Sequence, residues 1–118
     1  MKTISHKREL GSGIYTASDI SKLLHINQRK VSRYLNEFWD ERLGRKLFND
    51  TYSWNAGNRI KAVNFYVLIE FYSFFRLQEM GVKTRTILKA RNQIAQELNV
   101  EYPFASAGLL SDGKKNLV

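Results

Sequence analysis

The sequence contains no cysteine, which excludes disulfides, thiolate metal sites and a cysteine nucleophile. Its only imidazoles are His6 and His25, too few for a histidine-built metal site or histidine-based catalysis. A long hydrophobic run is also missing. The most apolar stretch, Val63 to Phe75, contains Asn64, Glu70 and Ser73, and is too short and too polar to span a membrane. The charged residues in Met1 to Leu10 are not followed by an apolar segment of the kind a signal peptide needs, so a reduced, cytoplasmic protein is expected. Gly11-Ser12-Gly13 lacks the rest of any phosphate-binding loop. Glu70, the one acid of the apolar stretch, has no histidine, cysteine or second carboxylate near it in sequence to form a catalytic dyad. These absences argue against an enzyme, and neither a metal nor another cofactor is expected. There is no internal repeat and no low-complexity tract.

What is present is an ordinary globular composition, 43% hydrophobic and 25% charged, in 118 residues. That length suits one small domain or the compact head of a longer chain. Seven Phe, six Tyr and two Trp can build a core at this size. The formal net charge is +8, and it is unevenly placed. Through residue 63 there are twelve Lys/Arg against six Asp/Glu, a balance of +6; from residue 64 there are seven against five, a balance of +2. A basic first half on a near-neutral second half suits a polyanion-facing head on an apolar support. The plainer reading is a protein kept soluble by excess lysine and arginine.

Residues 1–13, polar with a Gly-Ser-Gly hinge, read as a flexible lead-in. Thr16 followed by Asp19 approximates a capping box, and Ile20, Leu23 and Leu24 then recur at helical spacing. The helix is expected to stop at His25-Ile26-Asn27, with Asn27 capping a second helix, Gln28 to Phe38. Val31, Tyr34, Leu35 and Phe38 form its inward face. Gln28, Arg29, Lys30, Ser32, Arg33 and Asn36 form an outer face with no acid before Glu37. Ser21 is small enough to let two backbones approach, and His25 at the turn tolerates a left-handed conformation better than most residues. This is a helix-turn-helix pattern. A purely structural helical hairpin shares the apolar spacing but has no need of a basic outer face.

Arg45 to Phe48, then Asn49-Asp50, then Thr51 to Trp54 read as strand, turn and strand. A hairpin after such a helix is a wing, with Arg45, Lys46 and Arg42 reaching phosphates while Leu47, Phe48 and Trp54 pack inward. Lys61 to Met80 reads as an apolar helix ended by Gly81. Because it is hydrophobic on almost every face, burial by a second subunit or a further segment is expected, with Phe71, Phe74 and Phe75 as the dimer or partner interface. A third helix, Thr84 to Leu98, should turn Ile87, Ile94, Ala95 and Leu98 inward and Lys83, Arg85, Lys89 and Arg91 outward. Glu70 is expected to answer Arg76, Arg59 or a backbone amide. Tyr102 to Lys115 has the alternation of a strand pair that begins and is interrupted. The organisation is thus a lead-in over 1–13, a domain over 14–100 and a truncated or linker segment over 101–118.

The order of helix, turn, helix, wing, apolar helix, Gly-Val and basic helix resembles the MerR-type winged helix-turn-helix class. More narrowly, the chain is similar to the DNA-binding heads of bacterial antitoxin-like proteins, where the head precedes a second helical domain. The matching stretches are GIYTASDISKLLHINQRKVSRYL at 13–35, NFYVLIEF at 64–71, EMGVKTRTILKA at 79–90, YPFAS at 102–106 and SDGKK at 111–115. The resemblance implies a mainly α fold, a winged helix-turn-helix with a small β-hairpin wing and two further packing helices. It implies that Gln28 to Asn36 is the recognition helix, that the wing lies around Arg45 and Lys46, and that Phe65, Leu68, Ile69 and Phe71 pack beneath it. Departures are the absent cysteines of metal and oxidant sensors, the absent long dimerisation coiled coil, Tyr72 where relatives often carry a basic residue, and His25 where they carry glycine.

The expected function is therefore sequence-specific binding of double-stranded DNA by a transcriptional regulator, an antitoxin-like autorepressor. It would act as a homodimer on bacterial DNA, with a toxin protein as a further partner. The candidate DNA contacts are Thr16, Ser18, Gln28, Arg29, Lys30, Ser32, Arg33, Asn36, Arg45 and Lys46. Arginine can pair with guanine O6 and N7, Gln28 or Asn36 can read adenine, and the lysines and wing arginines grip phosphates. The alternative is a protein-interaction module, for dimerisation or toxin neutralisation, with an incidental basic surface. RNA or single-strand binding is weaker, because the aromatics are not laid out as a stacking platform.

Overall fold

The computed structural model describes residues 13–106. The expected lead-in and the SDGKK segment lie outside the described residues, Gly13 apart. The described chain is mainly helical, with a small three-stranded antiparallel sheet. It forms two compact units that divide between Leu68 and Ile69.

In the first unit, strand β1 (Tyr15–Thr16) leads into helix α1 (Ala17–Leu24) through the capping box that Thr16 and Asp19 predict. The Asp19 amide donates to Thr16 Oγ1 at 3.2 Å and the Thr16 amide to Asp19 Oδ2 at 3.0 Å, so two otherwise orphaned donors are satisfied. His25 ends α1 in the left-handed region (φ 58°, ψ 44°). The Ser21 hydroxyl then donates across the turn to the Ile26 carbonyl. Helix α2 (Gln28–Tyr34) starts at Asn27, whose Oδ1 accepts from the amides of Arg29 and Lys30 at 2.9 and 3.3 Å. Ile20, Val31, Tyr34 and Leu35 are buried; Leu24, Ile26 and Phe38 are half-buried, and Leu23 is exposed.

The helical path then goes on well past Phe38. A π-helix (Leu35–Arg45) and a short α3 (Lys46–Phe48) carry it to Asn49, which stops it in the left-handed region (φ 57°). Such a wide turn is rare, and Gly44 permits it here: a Cβ at that position would lie 2.5 Å from the Asp50 carbonyl oxygen and 2.9 Å from that of Trp39. The hairpin predicted over Arg45 to Trp54 is therefore absent, and Arg45 and Lys46 are helical. The real hairpin joins β2 (Trp54–Asn55) to β3 (Lys61–Val63), with Trp54 opposite Ala62 and Asn55 opposite Lys61. β3 also pairs with β1, giving the order β1-β3-β2. Residues 61–63, predicted to open the apolar helix, are thus strand. That helix, α4 (Phe65–Glu79), begins after Asn64, whose Oδ1 accepts from the Val67 amide at 3.0 Å.

In the second unit, Gly81 ends α4 with φ 93°, as predicted, and the Val82 amide bonds back to the Leu77 carbonyl. Helix α5 (Thr84–Leu98) follows and ends at Asn99, again left-handed. Ile87 and Leu88 are buried, Ile94 and Ala95 half-buried, and Leu98 is exposed against expectation. Arg91, predicted to face outward, is 1% exposed and bonded to Glu70. Tyr102 to Ala105 do not start a strand: residues 103–106 make a buried helical turn, with the Ser106 amide bonded to the Tyr102 carbonyl.

Candidate nucleic-acid interface

The first unit carries a cleft of about 430 Å³ lined by Thr16, Ala17, Ser18, Gln28, Ser32, Leu35, Asn36, Arg59, Ile60 and Lys61. Three elements build it. The start of α1 supplies Thr16 to Ser18, the outer edge of the α2 path supplies Gln28, Ser32 and Asn36 at four-residue intervals, and the hairpin supplies the rest. No carboxylate lines it, and Arg59 makes it cationic, the Lys61 charge being answered by Asp40 behind the lining.

Five predicted contacts are brought together there: Thr16, Ser18, Gln28, Ser32 and Asn36. Arg29 is exposed beside them, on a second surface hollow shared with Asn27, Gln28 and Ser32. Lys30 and Arg33 lie instead against the Tyr34 ring, 5.7 and 5.2 Å from its centroid, and Tyr34 in turn meets Phe38 edge to face at 5.0 Å. Arg42 covers Phe38 at 5.5 Å. Arg45 and Lys46 do not line the cleft. Arg45 makes an exposed ion pair with Glu41, one helical turn away, at 3.5 Å, an arrangement worth little.

Arg59, Ile60 and Lys61 enter the site from a hairpin the sequence reading places too early. The tip is Gly57-Asn58-Arg59, three successive residues of positive φ (108°, 52° and 61°). Asn55 Oδ1 accepts from the Gly57 amide at 2.7 Å; at the neck the Ala56 amide donates to the Ile60 carbonyl at 2.7 Å and the Ile60 amide to the Gly57 carbonyl at 2.9 Å. Asn-Ala-Gly-Asn between two β-rich runs is the signal that identifies this turn. Left-handed backbone suits glycine and asparagine but strains an arginine by about 1–2 kcal/mol.

Beneath the cleft lies a buried carboxylate, Asp40, 2% exposed. It accepts from the amides of Tyr52 and Ser53 at 2.9 and 3.0 Å, from the Ser53 hydroxyl at 2.5 Å and from Lys61 Nζ at 3.1 Å. The π-helix, the loop before β2 and strand β3 are tied together at this one side chain.

In the second unit, Phe71 and Phe74 are fully buried and Phe75 is 4% exposed within the single chain. Their rings pack edge to face, 5.8 Å from Phe71 to Phe75 and 5.4 Å from Phe74 to Phe75. They therefore offer no surface to a partner; of the aromatics on that stretch of α4 it is Tyr72, half-exposed, that reaches solvent. Glu70 answers a partner the sequence reading does not name, Arg91 at 2.6 Å, and also accepts the Phe104 amide at 2.9 Å. Among the described residues no cluster of His, Asp and Glu could hold a metal ion, and no helix is long and apolar enough to cross a membrane. Comparison with known protein families, characterised proteins and solved structures gives no match for this chain.

Proposed function

We propose that this chain is a sequence-specific double-stranded DNA-binding regulator built as a winged helix-turn-helix of MerR type, acting as an antitoxin-like autorepressor. The reading is carried by the acid-free cationic cleft, in which the exposed edge of α2 and a two-stranded hairpin converge. In this reading α2 enters the major groove, where Gln28, Arg29 and Ser32 meet base edges. The β2–β3 hairpin is the wing, and Arg59 at its tip meets the backbone or minor groove. The strained conformation of Arg59 supports this: an arginine held left-handed at an exposed tip has no role in the core to justify it. Arg45 and Lys46 become peripheral phosphate contacts at most. Arg33, lying on Tyr34, is better suited to a phosphate than to a bidentate base contact.

Fluorescence anisotropy tests this directly, with labelled duplex from upstream of the protein's own gene against a scrambled duplex over a salt series. Preference for the native duplex, with affinity falling steeply as salt rises, is expected. Arg59→Ala should weaken both duplexes alike and shallow the salt slope by about one. Equal, weak binding to both duplexes by the unaltered chain would overturn the regulator reading.

A further inference from the structure

Asn36 stands on the wall of the cleft, and its carboxamide meets the ammonium of Lys61. Its Oδ1 accepts a 2.7 Å hydrogen bond from Lys61 Nζ. An ammonium has three donors and no acceptor, so only the oxygen of the carboxamide can face it. The Nδ2 amide is thereby turned away from Lys61 and meets no acceptor among the described residues. Lys61 is anchored in turn by Asp40 Oδ2 at 3.1 Å, and Asp40 is fixed by the Tyr52 and Ser53 amides and the Ser53 hydroxyl. A buried carboxylate thus sets a lysine of β3, and the lysine orients an amide in the first turn of the π-helix that continues α2.

An asparagine that reads adenine needs both ends of its carboxamide, the oxygen to accept from N6 and the nitrogen to donate to N7. In this chain the oxygen is engaged by a cation, which also repels the adenine amino group. Only the donor end remains. We infer, resting on the DNA-binding reading above, that Lys61 is a positioning residue that sets base preference: it makes Asn36 a pure donor, selecting the acceptor edge of guanine over adenine at the base pair it meets. The specificity of one recognition-helix residue is then written in the wing and in Asp40 behind it.

The test uses the full chain and a randomised duplex library, enriched for binding and followed by a panel of single base-pair substitutions. The position whose preference Asn36→Ala relaxes should favour guanine over adenine by about tenfold in the unaltered chain. Lys61→Met should erase or reverse that preference at that position alone, Lys61→Arg should keep it, and Lys61→Met should change nothing further in an Asn36→Ala background. Thermal unfolding guards against a folding artefact, since Asp40 keeps three protein donors without Lys61. Uniform weakening of every duplex by Lys61→Met would make Lys61 a phosphate contact and overturn the inference. An adenine preference at the Asn36 position would overturn it too. If the unaltered chain selects no duplex, the DNA-binding reading itself fails; if it selects one and Lys61→Met leaves its base preferences intact, only the positioning role fails.

Discussion

Among the described residues each unit buries one carboxylate, and the two are satisfied in different ways. Asp40 in the first unit is met by two backbone amides, a hydroxyl and a lysine whose side chain is 45% exposed. Glu70 in the second, fully buried, is met by the equally buried guanidinium of Arg91 and by the Phe104 amide. The first network reaches the surface and ends at a cleft residue; the second is closed and pins the 103–106 turn. A buried charge with neutral donors around it survives the loss of its counter-ion. A buried charge whose counter-ion is equally buried loses more when that ion is removed, because the charge left behind is desolvated.

The largest expected effect comes from breaking the closed pair. Arg91→Met should destabilise the protein by about 3–5 kcal/mol in urea unfolding, since it leaves the buried Glu70 charge without its cation. A loss under about 1 kcal/mol would mean that water reaches Glu70, and the contrast between the units would collapse. Asp40→Ala should cost less, about 2–3 kcal/mol, by leaving the Tyr52 and Ser53 amides without their acceptor. Lys61→Met should cost least, under about 1 kcal/mol, because a half-exposed ammonium gains little from its partner. Should Lys61→Met prove as damaging as Arg91→Met, the two networks would be equivalent after all.

Features that depend on near neighbours were legible. The capping box at Thr16 and Asp19, the Asn27 cap, the turn at His25 and the stop at Gly81 each involve residues within one helical turn. Asn49 was legible as a turn residue, but it ends a helix instead of reversing a strand. There the Asp50 carbonyl closes on Gly44, where a Cβ would lie 2.5 Å from its oxygen, an approach that the turn propensity of Asn49 does not reveal. Arg91 shows a different failure. It lies four residues after Ile87 and four before Ala95, so the periodicity points it inward, and only its charge argues for exposure. Charge is a sound guide to exposure unless a partner is buried with it, and that partner lies 21 positions away.

By itself, the sequence determined the helix boundaries that caps and glycine enforce, most of the inward face of α2, and the concentration of basic residues in the first half. The tertiary structure decided where the hairpin forms, which basic residues line the cleft, and which donors answer Asp40 and Glu70. The physical reason is range. Caps and helical faces are set by contacts three or four residues apart, whereas Lys61 meets Asn36 across 25 residues and Glu70 meets the Phe104 amide across 34. Such bonds exist only once the intervening chain has closed on itself, and no local pattern of residues encodes where it will close.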